Sequence, residues 1–520
     1  MSLGARTPRP RAVRTLICCA AASMLSVIAP NGVGSLAAAQ SVVVNVDAVR
    51  PFYEAARTQR VDIVGIGDSN QIYRGSGWDE GWHVALGERF NSYATGVVSV
   101  GDNYGRGSGA GYEYEAMASI GQPAFLYADA PAGVELHLNN PPSALMPLSY
   151  VYVEPGVAYT AAGPFGMVVR GESSLDVSAA LRWTLWYAKF AGNGSGGTFT
   201  PTVRLEIPPF TTLARSQTVL TWAGTGAEFS VGSVQLQLPA DPARSGALSF
   251  RPVAQGESAT GPFAGYYMRV ENPARATGTA VSVLYALGSQ SLRDMAGALA
   301  ASSDETLTLY FSAVRAGQGD RKRVLVRISS GLNDRAEPDA SIVQGIVPGS
   351  SPAAYEDNLR YIMLRLTLLW QRNSWDAEEL YFVLAPSHPV SDEDDPLLIA
   401  YRERADALAL TWPRTASVRL DRLTNSGEML ASGWYQSGGS DRNHLTRDAY
   451  VALASRELLE CVRPSCTSDF NGDGGIDGGD VEAFFTTWSR GDFVCDLNQD
   501  GGVDGRDAEV FLVGWVAASC

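Results

Sequence analysis

The 520-residue chain predicts an α/β protein: a three-layer body built on a parallel sheet, interrupted by a β-rich insert and followed by a small all-α module. Three observations carry this prediction. Apolar, strand-like runs alternate with helically spaced segments near the start of the chain and again between about 286 and 460. Between them, residues 122–285 lose helical periodicity and become rich in Gly, Pro and Thr. Near the C-terminus, two acidic, glycine-bearing loops repeat 27 residues apart.

The elements follow in order. Val61–Ile66 is an apolar run ending in Gly67-Asp68-Ser69, which predicts a buried strand feeding a tight turn. Val324–Ile328, Leu380–Leu384 and Ser417–Leu420 predict further strands. Residues 353–372 place Leu359, Ile362, Met363, Leu366 and Leu369 on one helical face, and 397–410 and 447–459 predict two more helices. Such alternation implies a parallel sheet covered on both faces. In the intervening segment, Tyr150–Val153, Leu181–Leu185, Thr202–Ile207 and Tyr266–Val270 are short alternating runs, the pattern of a β-sandwich inserted into the body. The predicted organisation is therefore 40–121 and 286–460 for the body, 122–285 for the insert and 461–520 for the terminal module.

Residues 1–39 have the form of a signal peptide. Arg6, Arg9, Arg11 and Arg14 precede an apolar run from Leu16 to Ile28, and small residues through Ala39 suit cleavage there. The run is short for a membrane span, and no later stretch has the length and apolarity of one. Loss of those four arginines takes the formal net charge from −15 to −19, which excludes a phosphate backbone as a natural partner. Residues 461–520 hold eleven Asp/Glu against three Arg, a local excess that points to a bound cation. Beyond the leader, the cysteines are Cys461, Cys466, Cys495 and Cys520; in an exported protein such an even set predicts disulfides, with three pairings possible.

Three short motifs concentrate the chemistry: Gly67-Asp68-Ser69, Gly331-Leu332-Asn333-Asp334 and Asp441-Arg442-Asn443-His444. Each alone is common; in this order, two of them after predicted strands, they resemble the blocks of the SGNH (GDSL-like) hydrolase family. The resemblance covers about 50–120 and 286–460. It implies a flavodoxin-like three-layer domain and ester hydrolysis with no cofactor in the chemistry. It implies Ser69 as nucleophile, His444 as base and Asp441 as the acid that orients it. The oxyanion donors would be the Ser69 N–H, the Asn333 side chain and a glycine of the segment 101–109, for which Gly107 is the preferred choice. Asp68 and Asp334 are expected to organise their loops, and Asn70 departs from the leucine usual after that serine. Of the other histidines, His137 falls in the insert, and His83 and His388 are expected to pack or lie at the surface. Trp78 and Trp82 suit either a sugar site or packing.

The terminal repeats place oxygens at positions 1, 3, 5, 7, 9 and 12 of two loops: Asp469, Asn471, Asp473, Gly475, Asp477 and Asp480, then Asp496, Asn498, Asp500, Gly502, Asp504 and Asp507. This is the EF-hand-type arrangement for calcium, with a glycine at position 6 for the sharp turn. With Asp at position 12 and a short apolar helix after each loop, the pair resembles dockerin type I repeats. That implies two calcium ions and a cohesin-like or cell-surface partner.

Together these readings predict a bacterial secreted or cell-surface-attached serine esterase that removes an acyl group, expected to be acetyl, from a carbohydrate. A lipid or aryl ester is the alternative substrate. The alternative from another class is a non-catalytic, calcium-dependent adhesion or carbohydrate-binding protein on a hydrolase scaffold.

Overall fold

The computed structural model describes residues 42–72, 77–99, 178–192, 230–241, 263–286, 290–319, 321–336, 346–390, 395–462, 467–470, 476–491, 495, 497–498 and 502–517, with short strand segments between 124 and 251. The signal peptide reading lies outside these residues. Among them, no helix is long and apolar enough to cross a membrane.

The body sheet has six strands: β1 (Val43–Val44), β2 (Arg60–Gly67), β3 (Gly278–Ala286), β4 (Val324–Ser330), β5 (Leu380–Pro386) and β6 (Thr415–Val418). Their spatial order is β1-β6-β5-β4-β2-β3. β2 through β6 are mutually parallel, and β1 closes one edge antiparallel to β6. Counting only the parallel strands, the order is 2-1-3-4-5. This is the doubly wound arrangement in which the winding direction reverses between the first and third strands, here β2 and β4.

Side-chain alternation splits the core into two layers. On one face Val64, Ile66, Val324, Val326, Ile328, Phe382 and Leu384 pack against helices α3 (Leu292–Ala301), α4 (Asp304–Ala316), α5 (Pro352–Arg372) and α6 (Pro396–Thr411). On the other, Val61, Ile63, Leu325, Tyr381 and Val383 pack against α1 (Arg50–Ala56), α2 (Trp78–Phe90) and α7 (Arg447–Val462). Local signals set the helix starts. Ser291 and Asp294 form a capping box before α3, and Ser351 and Asp395 cap α5 and α6, each followed by proline at the first helical position.

The strand Gly278–Ala286 corrects the predicted insert boundary at 285. It is buried on both faces and pairs in parallel with β2 along its whole length, so it belongs to the body. Its near-continuous apolar run is the mark of a buried parallel strand, and only a short turn separates it from the alternating strand Phe263–Glu271 before it. The described strands of the insert run from Ala124–Phe125 to Phe263–Glu271, and Val98–Ser99, which falls in the predicted body, pairs with that last strand. The insert strands form mainly antiparallel sheets, among them a five-stranded and a seven-stranded one.

The seven-stranded sheet continues the body sheet. Segment 91–99 bonds to β3 on one side, through Tyr93 N–H to Thr279 O and Val283 N–H to Val97 O. On its other side it bonds to 263–272, through Thr95 N–H to Val270 O and Asn272 N–H to Tyr93 O. A buried polar network locks the junction. Tyr93 donates to Asp62 of β2 at 2.5 Å and accepts from Arg269 at 2.5 Å. The Arg269 guanidinium also donates to the Ala313 and Val314 carbonyls at the end of α4 and pairs with Glu271 at 3.5 Å, which in turn pairs with Arg182. Burial pushes the Asp62 carboxyl up, and Arg269 opposes that shift.

Removing one partner of such a set strands a buried charge. Arg269→Ala is therefore expected to lower stability by about 3–5 kcal/mol in guanidinium denaturation. A loss below about 1 kcal/mol would show that the junction does not depend on this cation.

Candidate active site

The chemistry-bearing residues gather at the carboxyl ends of β2 and β4, the reversal point where doubly wound sheets open a crevice. β2 runs into Gly67 and Asp68, and Ser69 starts the short turn Ser69–Ile72. At Gly65 a Cβ would sit 2.3 Å from the Gln71 side-chain amide folded back over the strand, so any larger residue there would have to move that side chain aside. β4 ends at Ser330, and Gly331 turns the chain with φ near +120°, a region that favours glycine. Asp334 holds this turn, accepting from Gly331 N–H at 3.0 Å and from Leu292 N–H, at the start of α3, at 2.9 Å.

His444 comes from the segment Asp441–Leu445, just before α7. Its Nε2 lies 2.9 Å from Ser69 Oγ, and its Nδ1 lies 2.8 Å from Asp441 Oδ2. Asp441 Oδ1 also accepts from the backbone N–H groups of Asn443 at 3.1 Å and His444 at 3.3 Å, which fixes the carboxylate against the ring. A carboxylate can only accept from Nδ1, so the tautomer that leaves Nε2 unprotonated faces the serine hydroxyl. Ser69, His444 and Asp441 therefore form one continuous hydrogen-bonded chain.

Asp68 stands apart from that chain. It accepts from the Asn70 backbone at 2.8 Å and the Asn70 side chain at 3.1 Å, and from Asn333 Nδ2 at 3.4 Å. Burial pushes its carboxyl up, while the bonds from Asn70 pull the other way. Its bonds are those of a loop organiser. Asn333 Nδ2 also donates to Gln290 O at 3.0 Å, so Asn333 joins the nucleophile turn to the segment that precedes α3. Gly107, the third expected oxyanion donor, lies outside the described residues.

Of the two readings open for Trp78 and Trp82, the structure shows packing: both are buried in α2. Trp78 meets Tyr450 edge-on at 5.3 Å, Trp82 stacks on Tyr53 at 6.4 Å, and the buried Arg327 guanidinium lies over both indoles. Arg327 occupies a buried position on the α7 side of β4 and is paired there with Glu457 at 3.0 Å. His388, expected to pack or lie at the surface, is buried beside the site. It follows the end of β5, and its Nε2 donates to the Arg442 carbonyl, inside the Asp441–His444 segment, at 3.1 Å. The one sequence signal for it was its position just past a parallel strand's carboxyl end.

In the terminal module, α8 (Gly478–Trp488) and α9 (Gly505–Val516) pack through Phe484 and Phe511, stacked at 4.2 Å. Asp477 and Asp504, at position 9 of each loop, cap these helices. Asp480 and Asp507, at position 12, are fully buried. Asp480 accepts from Asp477 N–H, and Asp507 from the N–H groups of Leu497, Asn498 and Asp504. Buried carboxylates at the closing positions of two loops are hard oxygen donors that fit a calcium ion. Asn471, Asp473, Gly475, Asp496 and Asp500 lie outside the described residues; among those described, no three acidic, His or Cys side chains form a metal cluster. The cysteines do not act as one set. Cys461 is a free thiol in α7, buried in the body core against Tyr53, and burial pushes it up. Cys495 belongs to the module core, while Cys466 and Cys520 lie outside the described residues.

No family model and no curated protein matches the chain. Among solved structures, a peptidoglycan O-acetylesterase aligns with 80% of this chain and 95% of its own at 16% identity and a TM-score of 0.42. The CBM22-1 xylan-binding domain of Paenibacillus barcinonensis Xyn10C aligns with 28% of this chain and 85% of its own, at 11% identity and a TM-score of 0.19. BT4096, a gut microbial diltiazem-metabolizing enzyme, aligns with 35% of this chain and 40% of its own, at 11% and 0.22. Likenesses at this level assign nothing to this chain, whose reading rests on its own geometry.

Burial holds His388 down at about 4, with nearby Arg402 and His444 acting in the same direction and the bond to Arg442 and the Asp441 charge opposing. Between pH 6.5 and 4 the unfolded chain takes up a proton at this residue that the folded chain refuses, so its contribution to stability falls as pH falls through that window. Relative to His388→Gln, the wild-type protein is expected to lose about 3 kcal/mol between pH 6.5 and pH 4. Parallel stability curves for the two proteins would contradict this.

Proposed function

We propose that this protein is an exported serine esterase that cleaves carboxylic esters through an acyl-enzyme, with an O-acylated carbohydrate as its substrate. The observation that carries the reading is the Ser69–His444–Asp441 chain at the sheet's reversal point. Ser69 Oγ attacks the ester carbonyl while its proton moves to His444 Nε2. Asp441 keeps the proton on Nδ1 and stabilises the imidazolium that forms. The carbonyl oxygen becomes an oxyanion, for which the Ser69 N–H and the Asn333 amide are the expected donors, Asn333 giving up its long 3.4 Å bond to Asp68 to supply one. His444 then returns its proton to the leaving alcohol, and water repeats the sequence to release the acid.

A carbohydrate ester suits the leader, the acidic surface and a β-rich insert joined to the sheet edge beside β3. The terminal module is assigned two calcium ions, held by the loop residues Asp469 to Asp480 and Asp496 to Asp507, and a cohesin-like or cell-surface partner. Calcium would supply charge balance and loop closure there and takes no part in ester cleavage.

Two outcomes are expected with p-nitrophenyl acetate. Ser69→Ala lowers turnover at least roughly 10³-fold, and Asn333→Ala lowers kcat by roughly 10²–10³-fold. Ser69→Ala turnover within tenfold of wild type would end the serine-esterase reading.

Chelation supplies a separate check. Trp488 and Trp515 each donate to the carbonyl of the other loop's position 9, Asp504 and Asp477, at 2.9 and 2.8 Å. EDTA is therefore expected to change tryptophan fluorescence while ester hydrolysis continues, and restored calcium should reverse the change. Fluorescence indifferent to both would argue against calcium in these loops.

A further inference from the structure

The geometry points to Asn70 and Tyr450 as a matched pair of positioning residues that hold Ser69 and His444 in register, an inference that rests on the esterase reading of that site. Each member stands next to a block of the site without touching reacting atoms. Asn70 follows Ser69, and the Tyr450 hydroxyl reaches Leu445, which follows His444. That hydroxyl accepts from the Leu445 N–H at 3.5 Å and donates to Asn70 Oδ1 at 2.5 Å. Asn70 then donates through Nδ2 and its backbone N–H to Asp68 Oδ1, and Asp68 Oδ2 accepts from Asn333. One chain of hydrogen bonds thus runs from the His444 segment through the nucleophile turn to the amide expected at the oxyanion.

Several features make this chain stiff. Asn70, Tyr450, Asp68 and Leu445 are all buried. The Tyr450 ring is held edge-on by Trp78, and burial together with the Asp68, Asp79 and Asp441 charges keeps its hydroxyl protonated and able to donate. Asn70 has both a carbonyl for Tyr450 and an amide for Asp68. A leucine at 70 would offer neither, leaving the tyrosine hydroxyl buried without an acceptor. The departure at Asn70 from the usual leucine therefore has its counterpart in Tyr450.

The test compares wild type, Tyr450→Phe, Asn70→Leu and the double variant on p-nitrophenyl acetate, with Ser69→Ala as the control for the esterase reading. Each single variant leaves a buried partner unmatched and is expected to lower kcat about 10-fold, with KM within about twofold. The double variant removes the unmatched Tyr450–Asn70 contact but also lacks the Asn70 Nδ2 bond to Asp68 and the acceptor for Leu445 N–H, so it is expected to recover part of that loss, with a kcat above the product of the two single losses. Losses that multiply in the double variant, a Tyr450→Phe kcat equal to wild type, or a fall that tracks only the unfolded fraction would overturn the pairing. An activity-independent readout separates this from failure of the esterase reading. With four histidines in the chain, the His444 ring resonances can be followed by NMR. They are expected to shift in Tyr450→Phe and return in the double variant even if no ester is cleaved; an unchanged ring signal would overturn the pairing.

Discussion

The parallel register of β2 against β4 is the constraint on which the site depends. Asp62 pairs with Val324 at one end and Gly67 with Ser329 at the other, so the two strands finish side by side. Their following turns must then emerge together, which brings Ser69 and Asn333 into one crevice although the whole insert lies between them in sequence. A slip of one residue would exchange the two faces of β2, moving Val64 and Ile66 out of one helical layer and Val61 and Ile63 out of the other. Both faces are buried, so the apolar core itself enforces the register. The triad geometry is a by-product of packing energy spent well away from the chemistry.

Within that apolar frame, buried charges sit at junctions. Arg327 and Glu457 tie β4 to α7, the helix that follows His444. Asp62, Tyr93 and Arg269 tie β2 to segment 91–99 and to the last strand of the insert, Phe263–Glu271. Such groups add little net stability over apolar ones of similar size, but each is satisfied in one arrangement only. Segment 91–99 bonds to the body sheet on one side and to the insert strand Phe263–Glu271 on the other.

The sequence made some elements legible and hid others, for physical reasons. β2, β4 and β5 were readable because short apolar runs ended in turn residues, and α5 because five apolar side chains repeated at helical spacing. β3 was missed because, after the Asn272-Pro273 turn, its apolar run reads as one more strand of the β-rich segment that precedes it. α2 was hidden because its buried face includes Asp79, Glu80 and His83, which blur the apolar stripe. The order of the three motifs disclosed Ser69, Asn333, Asp441 and His444. Tyr450 and His388 gave no comparable signal: one reads as an ordinary core position of a helix, the other as a lone histidine. Their roles come from which backbone groups they meet, and that depends on the folded path of the chain.

The terminal module illustrates the opposite balance between core and staple. Its described core buries only Phe484, Cys495, Leu497 and Phe511 completely or nearly so. Partly buried apolar residues pack against it, among them Phe470, Phe485, Trp488 and Trp515, and so small a described core gains from further stapling. Cys461 offers no covalent help, since it is committed to the body core. The remaining stabilising devices are reciprocal: each helix is capped by its own loop's aspartate, and each tryptophan clamps the other loop's position 9. That reciprocity couples the loops, so that ordering one favours ordering the other. It also places Asp480 and Asp507 in the interior, where backbone N–H groups of the module donate to their carboxylates. Calcium, proposed for both loops, would add a counter-charge to that set, while the body's apolar layers stand by themselves.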